Sequence, residues 1–112
     1  MANLNEKNDK STAHPIESVV AIADLHVDYS ENLLWVESLY KSDWKQSALI
    51  VAGDVSDNID LLIQSLLLLK ERFAIVCYIP GNHEMWLRNC HCADSLEKFA
   101  SIQQRCREAG IH

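Results

Sequence analysis

Ser47-Ala48-Leu49-Ile50-Val51-Ala52-Gly53-Asp54 is the stretch on which the fold turns. Its apolar residues are continuous rather than alternating, the pattern of a strand with both faces buried. Gly53 permits a tight exit from such a strand and leaves Asp54 at its carboxyl end. Working outward, the same order recurs on either side. Upstream, Ser18-Val-Val-Ala-Ile-Ala23 runs into Asp24-Leu25-His26; downstream, Ala74 to Ile79 is stopped by Pro80-Gly81 and followed by Asn82-His83-Glu84.

The connecting segments read as helices. After Asp28-Tyr-Ser-Glu31, which offers helix-start chemistry, Leu33, Val36 and Tyr40 recur at helical spacing, with Leu34 and Trp35 widening the apolar face. Asp57 or Asn58 caps a long helix to about Phe73, with Ile59, Leu62, Leu66, Leu69 and Phe73 on one face. Asp94-x-x-Glu97 resembles a capping box for a third helix ending at Gly110, and Ile111-His112 opens a fourth strand. Strand–helix alternation of this kind predicts an α/β fold, βαβαβ(α), with a mainly parallel sheet. Residues 1–15 are polar and read as a disordered lead-in, leaving 16–112 as one domain.

Composition limits the function classes. At 112 residues, 48% apolar, the chain can bury one core, and a net charge of −6 without a basic stripe excludes a general nucleic-acid binder. No apolar run is long enough to span a bilayer, and the polar amino terminus does not resemble a signal peptide, so a cytoplasmic protein is expected. Of four cysteines, Cys77 reads as a buried small hydrophobe. Cys90-His91-Cys92 lacks a second ligand pair at zinc spacing and reads as an ordinary loop with free thiols.

In open α/β sheets the ligand site lies at the carboxyl ends of the strands. Here that edge collects Asp24 and His26, Asp54, and Asn82 and His83 from three strands. Taken singly, each has a plain structural alternative: a loop pair, a helix cap, a turn asparagine, a loop histidine. Asp57 and Asn58 are better placed to cap, which leaves Asp54 without a structural task. Together the five form a mixed oxygen and nitrogen donor set suited to manganese, iron or zinc.

Ile22-Ala-Asp-Leu-His26, Val51-Ala-Gly-Asp-Val-Ser-Asp-Asn58 and Tyr78-Ile-Pro-Gly-Asn-His-Glu84 resemble, in order, three motifs of the calcineurin-like metallophosphoesterase superfamily. The resemblance covers roughly residues 18–88 and implies an αββα sandwich with two divalent metal ions that hydrolyses phosphate mono- or diesters. Carried over, Asp24 and His26 would bind the first metal, Asp54 would bridge both, and Asn82 would bind the second. His83 would protonate the leaving oxygen or steady the transition state, with Glu84 supporting it from behind. Trp86 matches an apolar residue that packs in this loop. The family often places Arg after the acidic residue corresponding to Asp57; this chain has Asn58.

The family pattern continues with a further histidine and a Gly-His-x-His motif, neither of which follows here. The chain therefore reads as the amino-terminal half of such a domain. At most one metal is expected to be well held, the isolated chain is expected to be weakly active or inactive, and apolar faces meant for the rest of the sandwich are expected to be exposed. The alternative is a non-catalytic metal-binding or regulatory fragment that pairs through its exposed sheet. The implied partner is a phosphorylated small molecule or other phosphoester.

Overall fold

The computed structural model describes residues 15–112; the expected disordered lead-in falls almost wholly outside them. Strands β1 (Ser18–Ile22), β2 (Ser47–Ala52) and β3 (Ile75–Ile79) alternate with helices α1 (Ser30–Ser38), α2 (Ile59–Lys70) and α3 (Ser95–Ala109). The sheet is parallel in the order β1-β2-β3, with Ser18 opposite Ser47 and Ala48 opposite Ile75. The expected α/β class and parallel sheet are thus present. Ile111 and His112 run beside β3: the Tyr78 amide donates to the His112 carbonyl (2.7 Å) and the His112 amide to Val76 (3.1 Å). These two bonds lie where a fourth strand is expected to open, while the described sheet has three strands.

Period-two alternation sorts the strand residues between two environments. Leu49 and Val51 of β2 and Val76 of β3 are buried against the helices, where Val36, Leu62, Leu66, Leu69 and Ile102 meet them. Each fully buried aliphatic side chain of this kind contributes about 1.5–3 kcal/mol. The opposite face carries Val19, Ala21, Ile50, Ile75, Cys77 and Ile79, and no described residue covers it; Val19 is 63% and Ile79 57% exposed. Burial of the strands on both faces is therefore corrected to burial on one. Their continuous apolar sequence leaves a second face that the described residues do not cover. Cys77 lies on that face and is half-exposed rather than buried.

Three local expectations also change. Helix α1 ends at Ser38 with Leu39 extended (φ −66°, ψ 133°), so Tyr40 leaves the helical face and is 74% exposed. Leu34 and Trp35 are exposed as well, leaving Val36 as the buried residue of α1. Asp28 does not cap this helix, because its carboxylate accepts the Ser56 hydroxyl at 2.6 Å instead. Cys90 and Cys92 are joined in a disulfide rather than free, their Cα atoms 5.4 Å apart, within the span a disulfide bridges.

Helix α2 is capped by Asn58, whose side chain accepts the Leu61 amide, and α3 by Asp94, which accepts the Glu97 amide; α3 closes at Gly110. The carboxyl end of α2 is fixed to α1 by buried Arg72. Its Nε, Nη1 and Nη2 donate to the carbonyls of Leu39, Leu68 and Glu37 at 2.7–3.0 Å.

Candidate metal centre

The loops leaving β1 and β2 are laced together beyond the sheet. The Asp24 amide donates to the Gly53 carbonyl (3.1 Å), His26 to Asp54 (3.1 Å) and Val27 to Val55 (2.9 Å). Within this lacing Asp24, His26 and Asp54 all adopt left-handed backbone, with φ of 58°, 44° and 59°. Such a conformation costs a non-glycine residue of order 1–3 kcal/mol and persists only where surrounding contacts enforce it. The result is convergence: one donor atom from each of Asp24, His26 and Asp54 lies within 4.8 Å of the other two.

Two glycines make that approach possible. Gly53 has φ +81°, and Gly81 packs so tightly beneath Asp54 that an added Cβ would lie 2.6 Å from the Asp54 amide nitrogen and 2.9 Å from its Cγ. Both distances are too short for a real side chain. Gly81 is therefore a space requirement of the Asp54 carboxylate.

Glu84 locks the arrangement from below. It is fully buried, and its carboxylate accepts four backbone amides: Asp54 (2.8 Å) and Gly81 (2.7 Å) on Oε1, Val55 (2.7 Å) and Ser56 (2.9 Å) on Oε2. Charge-assisted bonds of this sort are about twice as strong as neutral ones. The expected support of His83 by Glu84 thus takes a different form. Glu84 holds the backbone of both loops, while the His83 ring stacks on Trp86 at 3.9 Å between centroids.

His83 lies outside the three-donor cluster yet beside it, its ring 5.0 Å from that of His26. Its backbone amide donates to Asp54 Oδ1 (3.0 Å), which orients the carboxylate. Asn82 is exposed at the head of the short 3-10 turn His83–Met85, and its side chain makes no capping bond. The structure therefore joins Asp24, His26 and Asp54, sets His83 alongside, and carries Asn82 on the same loop. This donor set fits a divalent cation: two carboxylates, one imidazole, and strained backbone that only close contacts would hold.

A second polar group, not recognised from sequence, flanks the cluster. Asp57 is buried, with Arg88 Nε on Oδ2 (2.6 Å) and Asn89 Nδ2 on Oδ1 (2.8 Å). Burial pushes the Asp57 carboxyl up, but hydrogen bonds from Arg88 and Asn89 and the charges of Arg88 and Lys98 outweigh it, holding it below the ordinary value. Lys98 is fully buried, and its ammonium donates to the carbonyls of Asp57 (2.6 Å) and Trp86, fastening the loops after β2 and β3 to α3. Burial lowers its pKa, opposed by the charges of Asp57 and Glu84. Asp57 and Arg88 are 31 residues apart, and no sequence periodicity links them.

The family pattern of the calcineurin-like phosphoesterases matches residues 18–108. The [acyl-carrier-protein] phosphodiesterase PptH of Mycobacterium tuberculosis is 50% identical over 99 residues, covering 81% of this chain and 28% of its own length. The crystal structure of phosphopantetheinyl hydrolase (PptH) from Mycobacterium tuberculosis aligns with a TM-score of 0.69 at 36% identity, over 88% of this chain and 36% of that one. The chain thus spans roughly a third of the relatives it matches. With the three motifs, the parallel sheet and the convergent donors in agreement, this chain belongs to the calcineurin-like phosphoesterase family.

Proposed function

We propose that this chain carries the first-metal half of a phosphodiesterase site, acting in its full setting on a phosphodiester such as that of acyl-carrier protein. The convergence of Asp24, His26 and Asp54 within 4.8 Å carries the reading. Its substrate class follows from the similarity to an acyl-carrier-protein phosphodiesterase. Asp24, His26 and Asp54 would hold one manganese, iron or zinc ion, and Asn82 with Asp54 would be offered to a second. Such ions lower the pKa of water and neutralise charge on phosphoryl oxygens.

The chain's own residues supply the rest. The Glu84 clamp and the Gly81 contact fix Asp54, so its carboxylate would be offered to an ion already held in place. His83 stands at the rim, stacked on Trp86 and beside the tilted ring of His26, where an imidazole can hand a proton to a departing oxygen. The donors for the second ion are fewer, and Asp54 Oδ1 already accepts the His83 amide. That imbalance supports weak or absent turnover by these 112 residues alone, and keeps a non-catalytic metal-binding role as the second reading.

The test is hydrolysis of bis(p-nitrophenyl) phosphate by the chain with manganese. Slow turnover, abolished by chelation and by Asp54→Asn, is expected. Turnover that survives either treatment refutes the assignment, and robust turnover refutes the weakness of the chain alone.

A further inference from the structure

Two arginines of this chain have opposite fates. The fork of Arg72 is closed on three carbonyl oxygens, whereas Arg88 engages only its Nε. Among the described residues, Nη1 and Nη2 of Arg88 have no hydrogen-bond partner, and its side chain is 68% exposed. The group is nonetheless held from two directions. Buried Asp57 grips Nε at 2.6 Å and is itself fixed by Asn89, and the guanidinium carbon lies 4.4 Å from the centroid of the Trp86 ring.

The Trp86 ring stacks on His83, whose ring lies tilted 5.0 Å from that of His26, so the row His26–His83–Trp86–Arg88 runs outward from the three-donor cluster. Arg88 and both histidines line one open pocket of about 340 Å³, with Tyr29 also on its wall. A planar fork anchored at its base, laid on an aromatic face and left with two open donor nitrogens matches a phosphoryl group in a bidentate way.

We propose that Arg88 is a substrate-contacting residue that receives a phosphoryl oxygen of the ester in this pocket, with Asp57 and Trp86 as the positioning residues that aim it. This rests on the site's acting on phosphoesters. It also places the guanidinium on the loop after β3, while the position following Asp57 is given to Asn58, which caps α2.

The experiment is calorimetric titration of the full 112-residue chain with phenyl phosphate at constant ionic strength, once with saturating manganese and once in chelator. Wild type, Arg88→Gln, Arg88→Lys and Asp54→Asn are compared, with thermal melts to establish that each is folded. Arg88→Gln is expected to weaken phenyl phosphate binding by about tenfold or more in both arms, and Arg88→Lys by a smaller factor, since lysine keeps the charge and loses the fork. Manganese affinity should stay within about twofold of wild type in both Arg88 variants, because the guanidinium touches none of the three donors. Phenyl phosphate affinity unchanged in Arg88→Gln, or no binding by the wild type in either arm, overturns the proposal. The metal reading fails separately: a chain that binds no manganese but loses phenyl phosphate in Arg88→Gln retains the Arg88 contact, whereas a chain sensitive only to Asp54→Asn retains the metal site alone.

Discussion

Replacing Glu84 by glutamine tests how the two loops of the site are held. The wild-type carboxylate gives one oxygen to the amides of Asp54 and Gly81 and the other to those of Val55 and Ser56, all at 2.7–2.9 Å. A glutamine amide has one oxygen, so whichever way it turns, one pair of N–H groups faces an NH₂ donor: the buried pair of Val55 and Ser56 or the part-buried pair of Asp54 and Gly81. Each orphaned buried donor costs about 1–3 kcal/mol, so the pair costs up to about 2–6 kcal/mol. Against the ~5–15 kcal/mol stability of an ordinary domain this is a large fraction. Urea unfolding followed by far-UV circular dichroism reads the loss directly. Because Asp54 is one of the tethered residues, manganese affinity should also fall, by the ~10–100-fold typical of lost outer support. A stability loss below ~1 kcal/mol, with unchanged manganese affinity, would show that the four bonds do not hold the loops.

Gly81→Ala places a methyl group against the Asp54 amide and carboxylate, at 2.6 and 2.9 Å. Manganese titration should show affinity reduced by about tenfold or more, and an unchanged affinity would mean that Asp54 needs no such close contact. Acid titration of stability tests the Asp57–Arg88–Asn89 group. Since the folded-state pKa of Asp57 lies below its ordinary 3.8, its contribution is complete above 3.8 and is lost as pH falls through the folded value. Thermal melts should therefore show wild type losing more stability than Asp57→Asn as pH falls below 3.8; parallel losses would remove the ion pair from the account.

The central strand and the three polar clusters were legible because a parallel α/β sheet converts sequence order into spatial coincidence. Once Asp24, Asp54 and His83 are read as strand-end residues, topology alone brings them to one edge. Left-handed backbone at Asp24, His26 and Asp54 was not legible, since aspartate and histidine do not announce it as glycine does. Nor was the second role of Asp57. Local reasoning offered it as a helix cap, but Asn58 caps α2 and Asp57 is left to meet Arg88 and Asn89 across the fold. The burial of Lys98 is not legible for a similar reason: its carbonyl partners, Asp57 and Trp86, lie 41 and 12 residues away, and lysine in a helix ordinarily signals solvent. Helical spacing does not extend to Tyr40, because the chain turns extended at Leu39, just past Ser38.

Manganese titration of the 112-residue chain and its Asp24→Asn, His26→Ala and Asp54→Asn variants tests the account at its centre. Saturable binding of an ion by the wild type is predicted, weakened in each variant by at least the ~10–100-fold associated with outer-shell losses. Affinity equal to wild type in all three variants would contradict it, because the three converging donors would then not be holding the ion.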